Sequence, residues 1–339
     1  MTVDQNIPPT VGAYNAVILA CARSGNKTYI NEGFKLARQM LDSHRDARGY
    51  SPFRPDRKTF CALLEGTKRI GDLARARWIL AEMVKSSGDG NDSLEMAIDE
   101  EVMVHVFHTY AAYRVPSVRS SARLLTDSSV PRSSVVPAME AKQIGDARIQ
   151  SPAASELQRE ASSFIVDDDS GQPSFAHIPP QTRGEVIQEV KILFNRILQD
   201  SSRSTPAATA SLPFIQKKFR NVELTTRLLS SYLSVFYKHA PLESSRNLFW
   251  TMFEDFGLTR SARAYVEALE RCANAQRGIE RDTGLRFAQE LWVKWNEIEN
   301  VGSVDGRTLN PRLIERAHVA MVRVLSMYVY LSFEYSRRY

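Results

Sequence analysis

The chain has 339 residues, 43% of them hydrophobic, and a formal net charge of +5. The apolar content suffices for a folded body, and no apolar run reaches the roughly 18–20 residues needed to span a bilayer. The charge is uneven: residues 11–88 hold 14 Lys/Arg against 7 Asp/Glu, a concentration that suits a polyanionic partner as well as a solvated helix face.

The opening residues, MTVDQNIPPTVGAYN, do not read as an import presequence, because they contain an Asp and no Arg precedes Arg23. From Tyr14 the chain reads YNAVILACARSG, a turn, then EGFKLARQM. From Phe60 it reads FCALLEGTKRIGDLARARWILAEM. Superimposed, Tyr14 meets Phe60, Val17-Ile18 meets Leu63-Leu64, Arg23 meets Arg69, Gly25 meets Gly71 and Met40 meets Met83. Each unit is a helix, a Gly-containing turn and a second helix, with apolar residues recurring at three and four. A third first helix follows at DEEVMVHVFHTYAAYR, and its expected second helix is missing.

Residues 116–182 are rich in Ser, Pro, Ala and scattered charge, a composition predicted to be mostly disordered, with room for a short helix near 121–125 or 153–161. Order resumes near Gly184 with an amphipathic segment carrying Val186, Val190, Leu193, Phe194 and Ile197. After a Ser/Thr/Pro loop the rhythm returns at TTRLLSSYLSVFYKHAPLESSRNLFWTMF, again at SARAYVEALERCANA with LRFAQELWVKW, and last near Asn310, where Pro311 suits a helix start. The expected fold is all-α: a solenoid of helix-turn-helix repeats over 11–115 and 183–339, split in two by the insertion at 116–182. The final helix has no polar cap, as terminal repeats normally do, so the chain is expected to stop short there.

These units resemble the pentatricopeptide repeat, a two-helix unit of roughly 35 residues. The best match lies at 57–91, preceded by Arg54-Pro55-Asp56, and YNAVI at Tyr14 is the family's usual opening. The peptide-binding tetratricopeptide repeat wants a small residue where this chain has Ile18, Leu64, Phe107, Leu233 and Leu269. In the resembled family, the residue after the aromatic slot and the last residue of the unit read one RNA base. By slot, the resemblance assigns these roles to Asn15 with Asp56, Cys61 with Asp99 and Ser230 with Ser261. Asn15/Asp56 is the strong pair and implies a pyrimidine, mainly uracil; Cys61, Val104 and Val266 are poor readers.

Two basic stripes follow from the same register: Lys58, Arg227, Arg263 and Arg312 two before the aromatic slot, and Arg23, Arg69 and Lys238 near the end of the first helix. The first is broken at Glu101, the second at Asn274. They are candidates for phosphate contact or for stacking on a base, against the alternative of chance and solvated surface.

The three cysteines, Cys21, Cys61 and Cys272, form no C-x-x-C and read as small buried residues. His105 and His108 share a helix without a third ligand nearby, and Asp167-Asp168-Asp169 read as solvated charge. Trp78, Trp250, Trp292 and Trp295 read as packing between units. No nucleophile motif, phosphate loop, dinucleotide fingerprint or deaminase-type H-x-E with C-x-x-C occurs, so neither catalysis, a cofactor nor a small-molecule substrate is expected. The resemblance is to fungal mitochondrial members of the family. It implies binding of single-stranded organellar RNA, messenger or ribosomal precursor, in mitochondrial RNA processing, stability or small-subunit ribosomal RNA maturation. The alternative is a structural subunit or assembly scaffold of the mitochondrial ribosome.

Overall fold

The computed structural model describes residues 10–42, 53–86, 97–116, 165–167, 173–175, 178–201, 218–276, 278–301, 303–304 and 307–336. Among the described residues the fold is all-α. The helices are α1 (Val11–Arg23), α2 (Lys27–Asp42), α3 (Arg57–Ile70), α4 (Leu73–Ser86), α5 (Glu100–Ala112), α6 (Arg183–Ser201), α7 (Thr226–His239), α8 (Leu242–Asp255), α9 (Ala262–Ala273), α10 (Ile279–Val301) and α11 (Pro311–Ser336). Two short antiparallel ribbons, Ile165–Asp167 with Pro173–Phe175 and Ser303–Val304 with Arg307–Thr308, complete it.

A shared start signal fixes the odd-numbered helices up to α9. Thr10, Asp56, Asp99, Thr225 and Ser261 each take extended backbone, and each side chain accepts the N–H three residues on. Such a cap satisfies one of the four unpaired N–H groups of a helix start and contributes about 1 kcal/mol. Asn310 does similar service for α11, its Oδ1 accepting the Arg312 N–H at 2.9 Å. The caps align the helices residue for residue, which gives the chain its repeat-like character.

Packing follows the alignment. α3 packs on α1, α5 on α3, α7 on α5 and α11 on α9. The aromatic or apolar slot is buried at Phe60, Met103, Leu229 and Tyr265, as are Met40, Met83 and Met252 at the close of second helices. Each fully buried side chain of this size contributes about 1.5–3 kcal/mol. Tyr14 is only half-buried and Val17 is 51% exposed, since no described helix precedes α1. α7 and α9 touch lightly; there the second helices α8 and α10 carry the joint, through Arg246 bound by both oxygens of Glu290 at 2.7 and 3.1 Å.

Three sequence expectations change. The second helix of the third unit is not missing: α6 supplies it from beyond the insertion, packing on α5 and α7. Phe194 of α6 stacks on Tyr232 of α7 at 4.2 Å, and Phe107 of α5 meets the same ring edge-on at 5.6 Å. The insertion therefore leaves α5 and α7 in direct contact instead of parting the stack. Its described end is also anchored: Arg77 donates to the Ile178 carbonyl at 3.1 Å and Tyr113 to that of Pro180 at 2.9 Å. The helices considered at 121–125 and 153–161 lie outside the described residues. Finally, Trp295 is fully buried, but Trp78 is 49% exposed and is no packing residue. Cys21 and Cys61 are half-buried; Cys272 alone is fully so.

One cross-element charge pair is fully buried. Arg77 of α4 lies 2.8 Å from Glu189 of α6, with exposures of 4% and 1%. Tyr110 of α5 donates to the same carboxylate at 2.7 Å. At the end of α3, Gly71 takes a φ of 67°, in the left-handed region, and a Cβ there would stand 2.6 Å from the Ala112 carbonyl oxygen. Glycine thus serves both the turn and the close approach of α5.

Candidate nucleic-acid interface

The caps that start the helices also place the site residues. Asn15 of α1 comes beside Asp56, the cap of α3, its Nδ2 donating to Asp56 Oδ1 at 3.0 Å. Thr59 completes the cluster. Its N–H donates to Asp56 Oδ1 at 2.8 Å, and its hydroxyl lies 2.5 Å from Asn15 Oδ1. The same hydroxyl accepts the Asp56 N–H at 3.1 Å, closing a capping box.

The other assigned pairs differ. Asp99 caps α5 and is ion-paired with Arg57, which also reaches Glu101 at 2.7 Å. The Cys61 thiol is held neutral: burial first, then the nearby Glu101 carboxylate, push it up to about 12. Ser261 accepts the Ala264 N–H, while the Ser230 hydroxyl is buried without a hydrogen-bond partner among the described residues. The structure thus joins Asn15 to Asp56 by a hydrogen bond, and joins neither Cys61 to Asp99 nor Ser230 to Ser261.

Counted from the caps, Lys58, Arg227, Arg263 and Arg312 all stand two residues into their helices, and Arg23, Arg69 and Lys238 thirteen. All seven are exposed. Arg69 is tied to Glu65 at 2.9 Å and Arg263 to Glu267 at 2.7 Å, each on its own helix. Arg23, Lys58, Arg227, Lys238 and Arg312 have no ion-pair partner among the described residues. The stripe is therefore more diluted by carboxylates than the sequence pattern alone conveys. Glu101, which breaks it, is engaged by Arg57.

Arg323 was missed, although it stands thirteen residues beyond Asn310 and belongs to the second stripe. It lines a groove of about 480 Å³ between α9 and α11, with Arg312, Arg316, Asn274 and Glu270. Arg316 is bound by both oxygens of Glu270, at 2.8 and 2.9 Å. Thr59 and Arg57 were missed too; the spacing Asp56-x-x-Thr59 was the signal for the first.

His105 and His108 on α5 report the local field. Burial first, and then the charge of Lys68, lower both to about 4; Arg227 acts on both and Arg263 on His108, while Glu65 opposes. Lys68, Arg227 and Arg263 come from α3, α7 and α9, so positive charge converges on α5 from both sides. Glu65 answers part of it: against the effect of burial, the Lys68 and Arg69 hydrogen bonds hold its carboxyl below the ordinary range. Both imidazoles are neutral at pH 7. Among the described residues no group of three or more His, Cys, Asp or Glu could hold a metal, and no helix is long and apolar enough to cross a membrane. Neither a scan of protein-family models nor a search of curated proteins gives a match.

Proposed function

We propose that the chain is a single-stranded RNA-binding protein of the pentatricopeptide type, its capped helices forming a solenoid with one row of base and phosphate contacts. The observation that carries this reading is the Asn15–Asp56 contact, made where the repeat register puts a base-reading pair, beside basic residues at constant distance from each cap. Base edges need paired donors and acceptors, and phosphates need unpaired cations. Among the described residues the chain offers one pair of the first kind and, in the two stripes, five cations of the second: Arg23, Lys58, Arg227, Lys238 and Arg312. Backbone contact should therefore dominate affinity, and the role is that of a factor or subunit that holds mitochondrial RNA for processing, stabilisation or small-subunit ribosomal RNA maturation. A structural place in the mitochondrial ribosome is favoured by the closed Cys61/Asp99 position, which leaves little sequence reading.

The test is a salt titration of binding to a single-stranded RNA of about 20 nucleotides. The double variant Lys58→Glu, Arg227→Glu should bind at least tenfold more weakly. The slope of log affinity against log salt should be shallower by about 0.7 for each phosphate left without its cation. Wild-type affinity and slope in the variant would refute the reading.

A further inference from the structure

The hydrogen bonds around Asn15 carry one step more, resting on the RNA-binding reading above. Asp56 Oδ1 already accepts from the Thr59 N–H at 2.8 Å and from Asn15 Nδ2 at 3.0 Å. The Thr59 hydroxyl has a single proton. It lies 2.5 Å from Asn15 Oδ1 and 2.9 Å from Asp56 Oδ1. The proton belongs on Asn15 Oδ1, the nearer acceptor and the one with no other donor among the described residues. An amide flip would set Asn15 Oδ1 against the Asp56 carboxylate oxygen and its NH₂ against a hydroxyl already receiving the Asp56 N–H. The amide is therefore locked from both ends.

We propose that Thr59 is the positioning residue that makes Asn15/Asp56 the base-discriminating position of this chain. With the amide locked, the pair still offers the second Nδ2 hydrogen of Asn15 and the Oδ2 oxygen of Asp56, neither engaged by the described residues. One donor beside one acceptor fits an imide edge, in which a ring N–H flanks a carbonyl, as in uracil. Cytosine in the same register sets a bare ring nitrogen against the carboxylate.

The starts of the other odd-numbered helices lack the device. The residue three beyond the cap is Ala13, Val102, Leu228, Ala264 and Leu313 in α1, α5, α7, α9 and α11. Asp99, the acidic cap of α5, has one oxygen on the Val102 N–H at 3.1 Å and the other on Arg57.

The experiment compares binding of oligo(U) and oligo(C), each of about 12 nucleotides, to the wild-type chain, Thr59→Val and Thr59→Ser. Val keeps the shape and removes the hydroxyl, whereas Ser keeps the hydroxyl. The wild type should prefer oligo(U). Thr59→Val should lower the U-over-C ratio about fivefold, the worth of one ordinary hydrogen bond, with oligo(C) affinity retained. Thr59→Ser should keep the wild-type ratio. A purely structural role moves both affinities together and leaves the ratio alone. A wild type without base preference, or a Thr59→Val variant with an unchanged ratio, overturns the inference while leaving RNA binding standing. A wild type that binds neither oligonucleotide overturns both.

Discussion

The α1–α3 and α3–α5 junctions share one design and end in opposite states. Each pairs a residue of one helix with an aspartate that caps the next. At the first, Asp56 meets an amide and a hydroxyl, neutral partners that leave donor and acceptor capacity over. At the second, Asp99 meets the guanidinium of Arg57, which also draws in Glu101, and the nearby Cys61 is a thiol held neutral and not joined to it. The backing differs too. Behind the first junction Gly66 lets α3 approach closely, a Cβ there falling 3.2 Å from Ile30 and 3.4 Å from Ala22. Behind the second stands the buried Arg77–Glu189–Tyr110 cluster. One junction is held by shape and leaves hydrogen-bonding capacity over, while the other uses its polar groups on itself.

The largest effect should come from the charge behind the second junction. Glu189→Ala removes the carboxylate that faces the buried Arg77 guanidinium and should lower unfolding free energy by about 3–5 kcal/mol, measured by urea denaturation. A drop below about 1 kcal/mol would show that the second junction, like the first, is held by shape. Next come the two caps. Asp56→Ala and Asp99→Ala should each cost about 1 kcal/mol, but only the first should erase a preference for uridine. Disappearance of the preference in both would mean that Arg57 does not close the second site.

A further test concerns pH. His105 and His108 titrate near 4 in the fold against 6.5 outside it, so the unfolded chain binds more protons between those values. Stability conferred by the neutral rings is complete above pH 6.5 and declines as pH falls toward 4. The melting temperature should drop over that window, and less so in His105→Asn, His108→Asn. An unchanged drop in the double variant would place the titrating groups elsewhere.

Much of this comparison was legible in the sequence. The Phe60, Met83 and Gly71 pattern and the caps are local, and a periodicity of three and four states them directly. Asn15 with Asp56 was legible because both lie in unbroken units. The third hairpin was not: the apolar face of α6 is visible in sequence, but its pairing with α5 needs contacts across the insertion, which no local rule supplies. The closure of the Asp99 position was also hidden. Arg57 is one residue after Asp56, where a basic side chain reads as surface, and only the placement of α5 beside α3 turns it onto Asp99 and Glu101. The ties of Arg69 and Arg263 to glutamates on their own helices could have been read from the four-residue spacing.

Because α5 and α6 are about 70 residues apart in the chain, the third hairpin has an order in time as well as in space. At ordinary synthesis rates α6 follows α5 by on the order of several seconds. During that interval Tyr110 and Arg77 have no Glu189 and Phe107 no Phe194, so the middle of the stack waits, half-covered, for a distant segment. Closing so long a loop adds only slowly to the entropic cost, since that cost grows with the logarithm of length. The delay is kinetic, and it falls on the helix that joins the early half of the protein to the late one.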